Sequence, residues 1–427
     1  MSASTPRRFT RTEAGAALYA ALIGFLTYAS VYAYRKPFTV ATFEGIQFRH
    51  ISYQTLLVIS QVIGYMLSKF TGIRFIAELR HLGRWKTSLI LIGSAWLSLL
   101  VFALVPPPYG IFCLLVNGYM LGFMWGIVFS YVEGRRATDF IGAAMAVSFI
   151  FAGGFTRSVA VWVRDQGQIS DPWIGFVTGA VFLVPLLFFI FLIERIPPPT
   201  NADIEERTLR IPMNKETRRK ILSTFGTGLV FVTVTYVFLT IMRDIRDNFM
   251  ANMWNDLGYG KKPEIFTQTE TITSVIVLLI MAMLVTVRNN FRAFRLIHIV
   301  VIAGFLIAGG ASALFIAGKL DGILWMQLAG LGLYMGYIPF NCIFFERFIA
   351  AFRIQGNVGF LIYLADAFGY LGSVAVLLTK EFMQAKMNWV VFYSNGVIFF
   401  ALIGIAGTVL SFIYFKKKFN DAAQATT

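Results

Sequence analysis

AGAALYAALIGFLTYASVYAYRKPFTVATF, residues 14–43, decides the fold. Its first charged side chain, Arg35, comes only after Tyr34, so an uninterrupted uncharged run precedes it. A stretch of about 20 apolar residues is the length that crosses a hydrocarbon core. A helix apolar all round has no solvent face and reads as a membrane span. Runs of this kind recur, and twelve spans are expected at roughly 14–43, 53–74, 87–106, 109–132, 138–163, 173–194, 221–249, 266–287, 294–316, 321–345, 357–380 and 389–415. All are expected to be helices, because lipid offers a backbone no hydrogen-bond partners and nothing alternates like a barrel strand.

Composition agrees. The chain has 427 residues, of which 57% are hydrophobic and 14% charged. Soluble proteins carry about 25% charged residues, so a cytosolic enzyme or a nucleic-acid binder is excluded at this level. The net charge of +15 is the mark of basic loops on one membrane face rather than of a nucleic-acid partner. Cys113 and Cys342 lie singly in apolar runs and give neither a disulfide framework nor a metal spacing. Met1–Arg11 is polar and the run after it is too long for a signal h-region, so no cleavable leader is expected.

Counted over the expected loops, 24 Lys and Arg fall on one face and 7 on the other. This bias puts both termini and the central loop in the cytoplasm, in the cell (inner) membrane. The one long hydrophilic stretch between spans, 195–219, opens with Pro197-Pro198-Pro199 and reads as a linker. It divides the chain into a six-helix half at 1–194 and another at 220–427. Span 1 carries Arg35 and span 7 carries Arg243 at matching depth, as a duplicated transporter would.

Six cations remain inside spans: Arg35, Lys36, Lys69, Arg157, Arg243 and Arg246. A cation in the bilayer interior costs about 2.5–3.5 kcal/mol on insertion scales, so it faces a cavity, a partner or an interface. Guanidinium forks match carboxylate and phosphate oxygens in pairs, and an ammonium adds a point charge. Arg35, Arg243 and Lys69 are therefore candidate anion ligands, with Arg157 a possible fourth. Asp244 and Asp247 offer a competing reading, a local ion-pair ladder in which Asp247 sits at i+4 from Arg243. Tyr32, Tyr34, Tyr65, Tyr337, Tyr363 and Tyr370 are candidates to line a cavity, with Tyr34 and Tyr65 preferred as neighbours of the charges. Asp366 and Glu270 are candidate coupling groups, since a buried carboxylate can carry a proton or pair with an arginine. Gly118, Gly122 and Gly126 share one face of span 4 and signal close helix packing. There is no GxxxxGK[ST], no Ser-His-Asp set and no metal-ligand spacing. No cofactor is expected, and the chain is read as no enzyme.

Four stretches carry a resemblance. They are Tyr34-Arg35-Lys36-Pro37-Phe38, Gly64-Tyr65-Met66-Leu67-Ser68-Lys69-Phe70, Val237-Phe238-Leu239-Thr240-Ile241-Met242-Arg243 and Phe368-Gly369-Tyr370-Leu371-Gly372-Ser373. In these the chain resembles the major facilitator superfamily, and within it the organophosphate:phosphate antiporters of glycerol phosphate and hexose phosphates. The resemblance implies an all-α membrane fold of twelve helices in two halves that rock around a central site. It implies that Arg35 and Arg243 grip phosphate with Lys69 nearby. The family's substrate-binding histidine in helix 5 has no counterpart in Ser148-Phe149-Ile150-Phe151-Ala152-Gly153-Gly154. The expected function is a secondary transporter, monomeric in the sense that one chain suffices, of a small organic anion such as a phosphate ester exchanged for inorganic phosphate. The alternatives are a proton-coupled or facilitative carrier of another anion such as a sugar acid, and a membrane sensor that transports little.

Overall fold

The computed structural model describes residues 11–78, 83–133, 135, 137–199, 215–352, 354, 358–382 and 388–424. Helix α1 spans Arg11–Tyr32, followed by a 3-10 turn, Pro37–Val40, and a short hairpin of β1 (Gln47–Phe48) and β2 (Ile51–Ser52). In that hairpin Gln47 pairs with Ser52, and Phe48 with Ile51, antiparallel. Next come α2 (Tyr53–Glu78), α3 (Arg84–Leu104), α4 (Gly110–Gly122), α5 (Met124–Ser130), α6 (Thr138–Gly167), α7 (Ile174–Val181) and α8 (Leu183–Ile193). The second series is α9 (Lys215–Asn248), α10 (Met250–Asp256), α11 (Glu264–Thr286), α12 (Asn290–Ile316), α13 (Gly322–Pro339), α14 (Phe345–Ala351), α15 (Val358–Phe382) and α16 (Trp389–Gln424).

Among the described residues nine helical stretches are long and apolar enough to cross a membrane, with α4–α5 and α13–α14 each counting as one. A tenth is the pair α7 and α8, bent by 41°. Helices α2 and α15, of 26 and 25 residues, complete twelve membrane-length segments. The chain is thus an all-α, multi-pass membrane protein. Most of the expected linker falls at 200–214, outside the described residues, and α9 already begins at Lys215 within its expected range. The first span is also shorter than its apolar run. Pro37 has no N–H to give the carbonyl of Ala33, so α1 ends at Tyr32 and Arg35 lies in the turn beyond it.

Packing follows two similar patterns. In the first six spans α1 lies on α6 and α8, and α4 on α2 and α3. In the second six, α9 lies on α15 and α16, and α13 on α11 and α12. The two sets meet where α6 packs on α11 and α2 on α15. The expected glycine face is used at the α2–α4 contact. A Cβ on Gly118 would come within 2.1 Å of the carbonyl oxygen of Gln61, so only glycine permits this approach. Pro339 closes α13 and is followed by one π turn, Phe340–Phe344. Such turns shift the register of side chains and are frequent at functional sites; here the turn carries Asn341 into the wall of the central cavity.

Candidate binding site

The end of α1 is where the site begins. A helix leaves its last carbonyls without intrahelical partners, and in a membrane water does not supply them. The side-chain amides of Gln61 and Asn117 do so here. Gln61 donates to the Arg35 carbonyl at 3.1 Å, and Asn117 to the Tyr34 carbonyl at 3.1 Å. The two amides are joined to each other at 2.8 Å. This buried clamp fixes the backbone from which the Arg35 side chain projects.

Arg35 projects into a cavity of about 290 Å³ between the two sets of six spans. Its guanidinium lies 4.2 Å from the Tyr65 ring centre, and Lys69 lies 4.7 Å from the same ring. From the opposite side comes Arg243 of α9. It donates to the Tyr337 hydroxyl at 2.5 Å, pairs with Asp244 at 2.5 Å and stands 4.5 Å from the Tyr337 ring. The rings of Tyr65 and Tyr370 meet edge to face at 5.6 Å and join the two walls. Asp366 accepts from the Tyr236 hydroxyl, which is also met by Asn341 at 3.1 Å. Five ionisable groups of opposite sign thus share the lining: Arg35, Lys69 and Arg243 with Asp366 and Glu133. The Nε atoms of Arg35 and Arg243 are both buried without a hydrogen-bond partner. Arg246, outside this lining, has bare Nε and Nη1 atoms too, so it is the shared cavity that singles out Arg35 and Arg243.

The structure brings Arg35, Arg243, Lys69, Tyr65 and Asp366 together, with Tyr32, Tyr337 and Tyr370 beside them. It places the other candidates elsewhere. Tyr34 is buried on the far side of the turn, edge-on to Trp96 at 6.3 Å. Arg157 is fully buried and pairs with Asp247 at 2.9 Å, with a further bond to Thr39 at 3.1 Å. Glu270 is equally buried and pairs with Arg246 at 2.6 Å. The side chain of Tyr363 lies outside the described residues. The local ladder forms only in part. Asp244 meets its neighbour Arg243, whereas Asp247 turns away to Lys36, at 2.5 Å, and Arg157.

Asp247 belongs to a second polar layer, at the hairpin end of the cavity, that ties the two sets of spans together. Lys36 also donates to Asn248 at 2.8 Å. Gln54 and Asn252 exchange reciprocal amide bonds at 2.9 Å. Glu381 accepts from the Thr55 hydroxyl at 2.7 Å and the Ser52 amide at 3.1 Å. Ser158 donates to the Pro263 carbonyl at 2.5 Å and meets Thr267. The cavity itself reaches the other way, along α2 to Lys69 and past α5 to Glu133.

Sequence reasoning also missed the aromatic lining: Tyr28, Trp125, Phe129 and Phe149. A signal existed for Tyr28, which stands four residues before the candidate Tyr32 on the same face of α1.

The model of a family of unknown function, DUF5690, matches residues 37–418. The chain belongs to this family. No curated protein matches it in sequence. Solved structures match over nearly its whole length. A D-xylose–proton symporter is 16% identical with a TM-score of 0.61, covering 92% of this chain and 96% of its own. The nucleoside transporter NupG is 14% identical with a TM-score of 0.61, covering 94% and 99%. A bacterial homologue of the human drug peptide transporters PepT1 and PepT2 is 14% identical with a TM-score of 0.62, covering 95% and 99%. At such identities the likeness shows the fold: this DUF5690 chain has the major-facilitator arrangement of two six-helix halves.

Proposed function

We propose that this protein is a secondary transporter of a small organic anion, working by alternating access. One observation carries the reading: Arg35 and Arg243 line one cavity from opposite halves. An anion bridging both guanidinium groups couples its own binding to the relative position of the halves. In a low-dielectric site charge-assisted hydrogen bonds of this kind are about twice as strong as neutral ones. The neighbours that share the fold transport sugars, nucleosides and peptides by their printed names, which supports transport without naming the solute.

The moving bodies in this reading are the segments 1–194 and 220–427, with 195–219 as the cytoplasmic linker. The polar layer from Lys36 to Glu381 is the closed outer gate, and the cavity faces the cytoplasm. A phosphate ester exchanged for inorganic phosphate is the first substrate proposal, on the resemblance of the four sequence stretches. Asp366 favours a second reading, a proton-coupled anion carrier, because the carboxylate lies in the cavity wall within reach of Tyr236. Flux into proteoliposomes separates them. Exchange predicts uptake of labelled anion that requires unlabelled anion inside. Proton coupling predicts uptake driven by an acid-outside gradient and lost in Asp366→Asn. Uptake indistinguishable from empty liposomes, with every anion and gradient tried, would refute both.

A further inference from the structure

The two walls of the cavity differ in chemistry. The wall from the second half is polar, with Tyr337, Asn341 and Asp366 beside Arg243. The wall from the first half holds a cluster of rings together with Arg35, Ser68, Lys69 and Glu133. Tyr28, Tyr32, Trp125, Phe129 and Phe149, from α1, α5 and α6, all face the cavity next to Arg35.

These rings support one another. Trp125 meets Phe149 at 4.9 Å and Tyr28 at 5.2 Å, and Tyr28 meets Phe149 at 5.2 Å. Tyr32 stacks on Phe149 at 6.0 Å with 17° between planes. The wall is therefore stiff, and a ligand meets it without first ordering it. Yet Trp125, Phe129 and Phe149 are only half-buried in the protein itself, so ring surface is left facing the cavity. Ring packing on its own would account for buried aromatics; it does not account for three left partly open in the lining that Arg35 shares.

Against the faces of Trp125, Phe129 and Phe149 a ligand hydroxyl finds no acceptor. The hydroxyl of Ser68, the nearest small polar side chain of α2 in the lining, is turned to the Tyr65 carbonyl at 2.6 Å. A polyol placed here would bury hydroxyls against ring faces and lose the hydrogen bonds they had in water. An apolar ring gains from the same surface through stacked and edge-to-face contacts.

We propose that the anion recognised by this cavity carries an apolar, unsaturated ring, seated against the wall of Trp125, Phe149 and Tyr28 while its acidic group meets Arg35 and Arg243. The inference rests on the anion reading of the site and narrows it from small organic anions to aryl-bearing ones.

The test is a thermal-shift titration of the full-length protein in detergent. Probes share one head group: inorganic phosphate, glycerol 3-phosphate, glucose 6-phosphate and phenyl phosphate. Benzoate against acetate repeats the comparison with a carboxylate. Ligands that bind the folded state raise its unfolding temperature by mass action. The expected result is an apparent Kd for phenyl phosphate about tenfold below those of the two polyol esters, the scale of ring contacts plus buried ring area. Trp125→Leu and Phe149→Leu, made separately, should each reduce that preference severalfold while the response to inorganic phosphate stays. That retained response also shows that the variant is folded. Equal affinity for aryl and polyol esters in the wild type would overturn the inference and leave the anion reading standing. A preference that survives in a variant still responding to phosphate would overturn it as well. Absence of any shift with every anion would bring down the anion reading and this inference together.

Discussion

Five arginines and lysines inside the helical body show how basic residues serve two purposes. Arg157 and Arg246 are fully buried and each meets a carboxylate from another helix, Asp247 and Glu270. Arg35, Lys69 and Arg243 line a cavity instead. Different consequences follow. Glu270→Gln leaves Arg246 buried without its counter-charge, a loss of about 3–5 kcal/mol when one member of such a pair is removed. The expected outcome is a marked fall in unfolding temperature, measured in detergent, with anion affinity per folded molecule unchanged. Arg35→Ala should do the reverse. It removes charge-assisted bonds to the ligand worth about 1.5–3 kcal/mol, so anion affinity should fall roughly 10- to 150-fold by titration, with a smaller effect on unfolding. The sequence could locate all these cations, because each interrupts an apolar run. It could not sort them, since their partners lie far along the chain: Lys36 meets Asp247, and Arg246 meets Glu270 of the next span. Tyr34 illustrates a different limit. Both residues lie in the turn beyond α1, where neighbours in sequence part: Tyr34 packs on Trp96 while Arg35 enters the cavity.

Helix ends and breaks build the site from the elements upward. The apolar run that identified the first span continues to Phe43, but the helix stops at Tyr32 because of Pro37. The carbonyls so exposed are met by Gln61 and Asn117, from α2 and α4, which the glycine contact holds together. The π turn after Pro339 makes the matching irregularity opposite, presenting Asn341. Most of the spans were legible from hydropathy alone, since lipid imposes one length and one secondary structure. The irregularities were not, because a capped turn and a continued helix have the same apolar composition. Asn117→Leu has a defined expectation. It strands the Tyr34 and Ala95 carbonyls, both of which Asn117 now serves, at about 1–3 kcal/mol for the buried groups left unpaired. Unfolding temperature should fall, and anion affinity with it, because the Arg35 turn loses its clamp.

On the scale of the whole molecule, the halves are tied at the hairpin end by Lys36, Arg157 and Asp247, by Gln54 with Asn252, and by Glu381. If the halves rock, these bonds must break together. Asp247→Asn weakens the centre of the layer by leaving Lys36 and Arg157 without a counter-charge. The population should shift toward an opening at this end, because a modest loss of stability in one state is a large change in a two-state balance. A cysteine at Asn252 should then react faster with a membrane-impermeant thiol reagent than in the Asp247 background. An unchanged rate would mean that the layer is a fixed seam and not a gate.

The central claim is that Arg35 and Arg243 act as one anion clamp across the two halves. Its most direct test is the thermal stability of the purified wild type, Arg35→Ala and Arg243→Ala with and without saturating inorganic phosphate or an organic anion. The account predicts that the anion stabilises both variants much less than the wild type. Variants that are stabilised as much as the wild type would contradict it, and would make both arginines part of the scaffold.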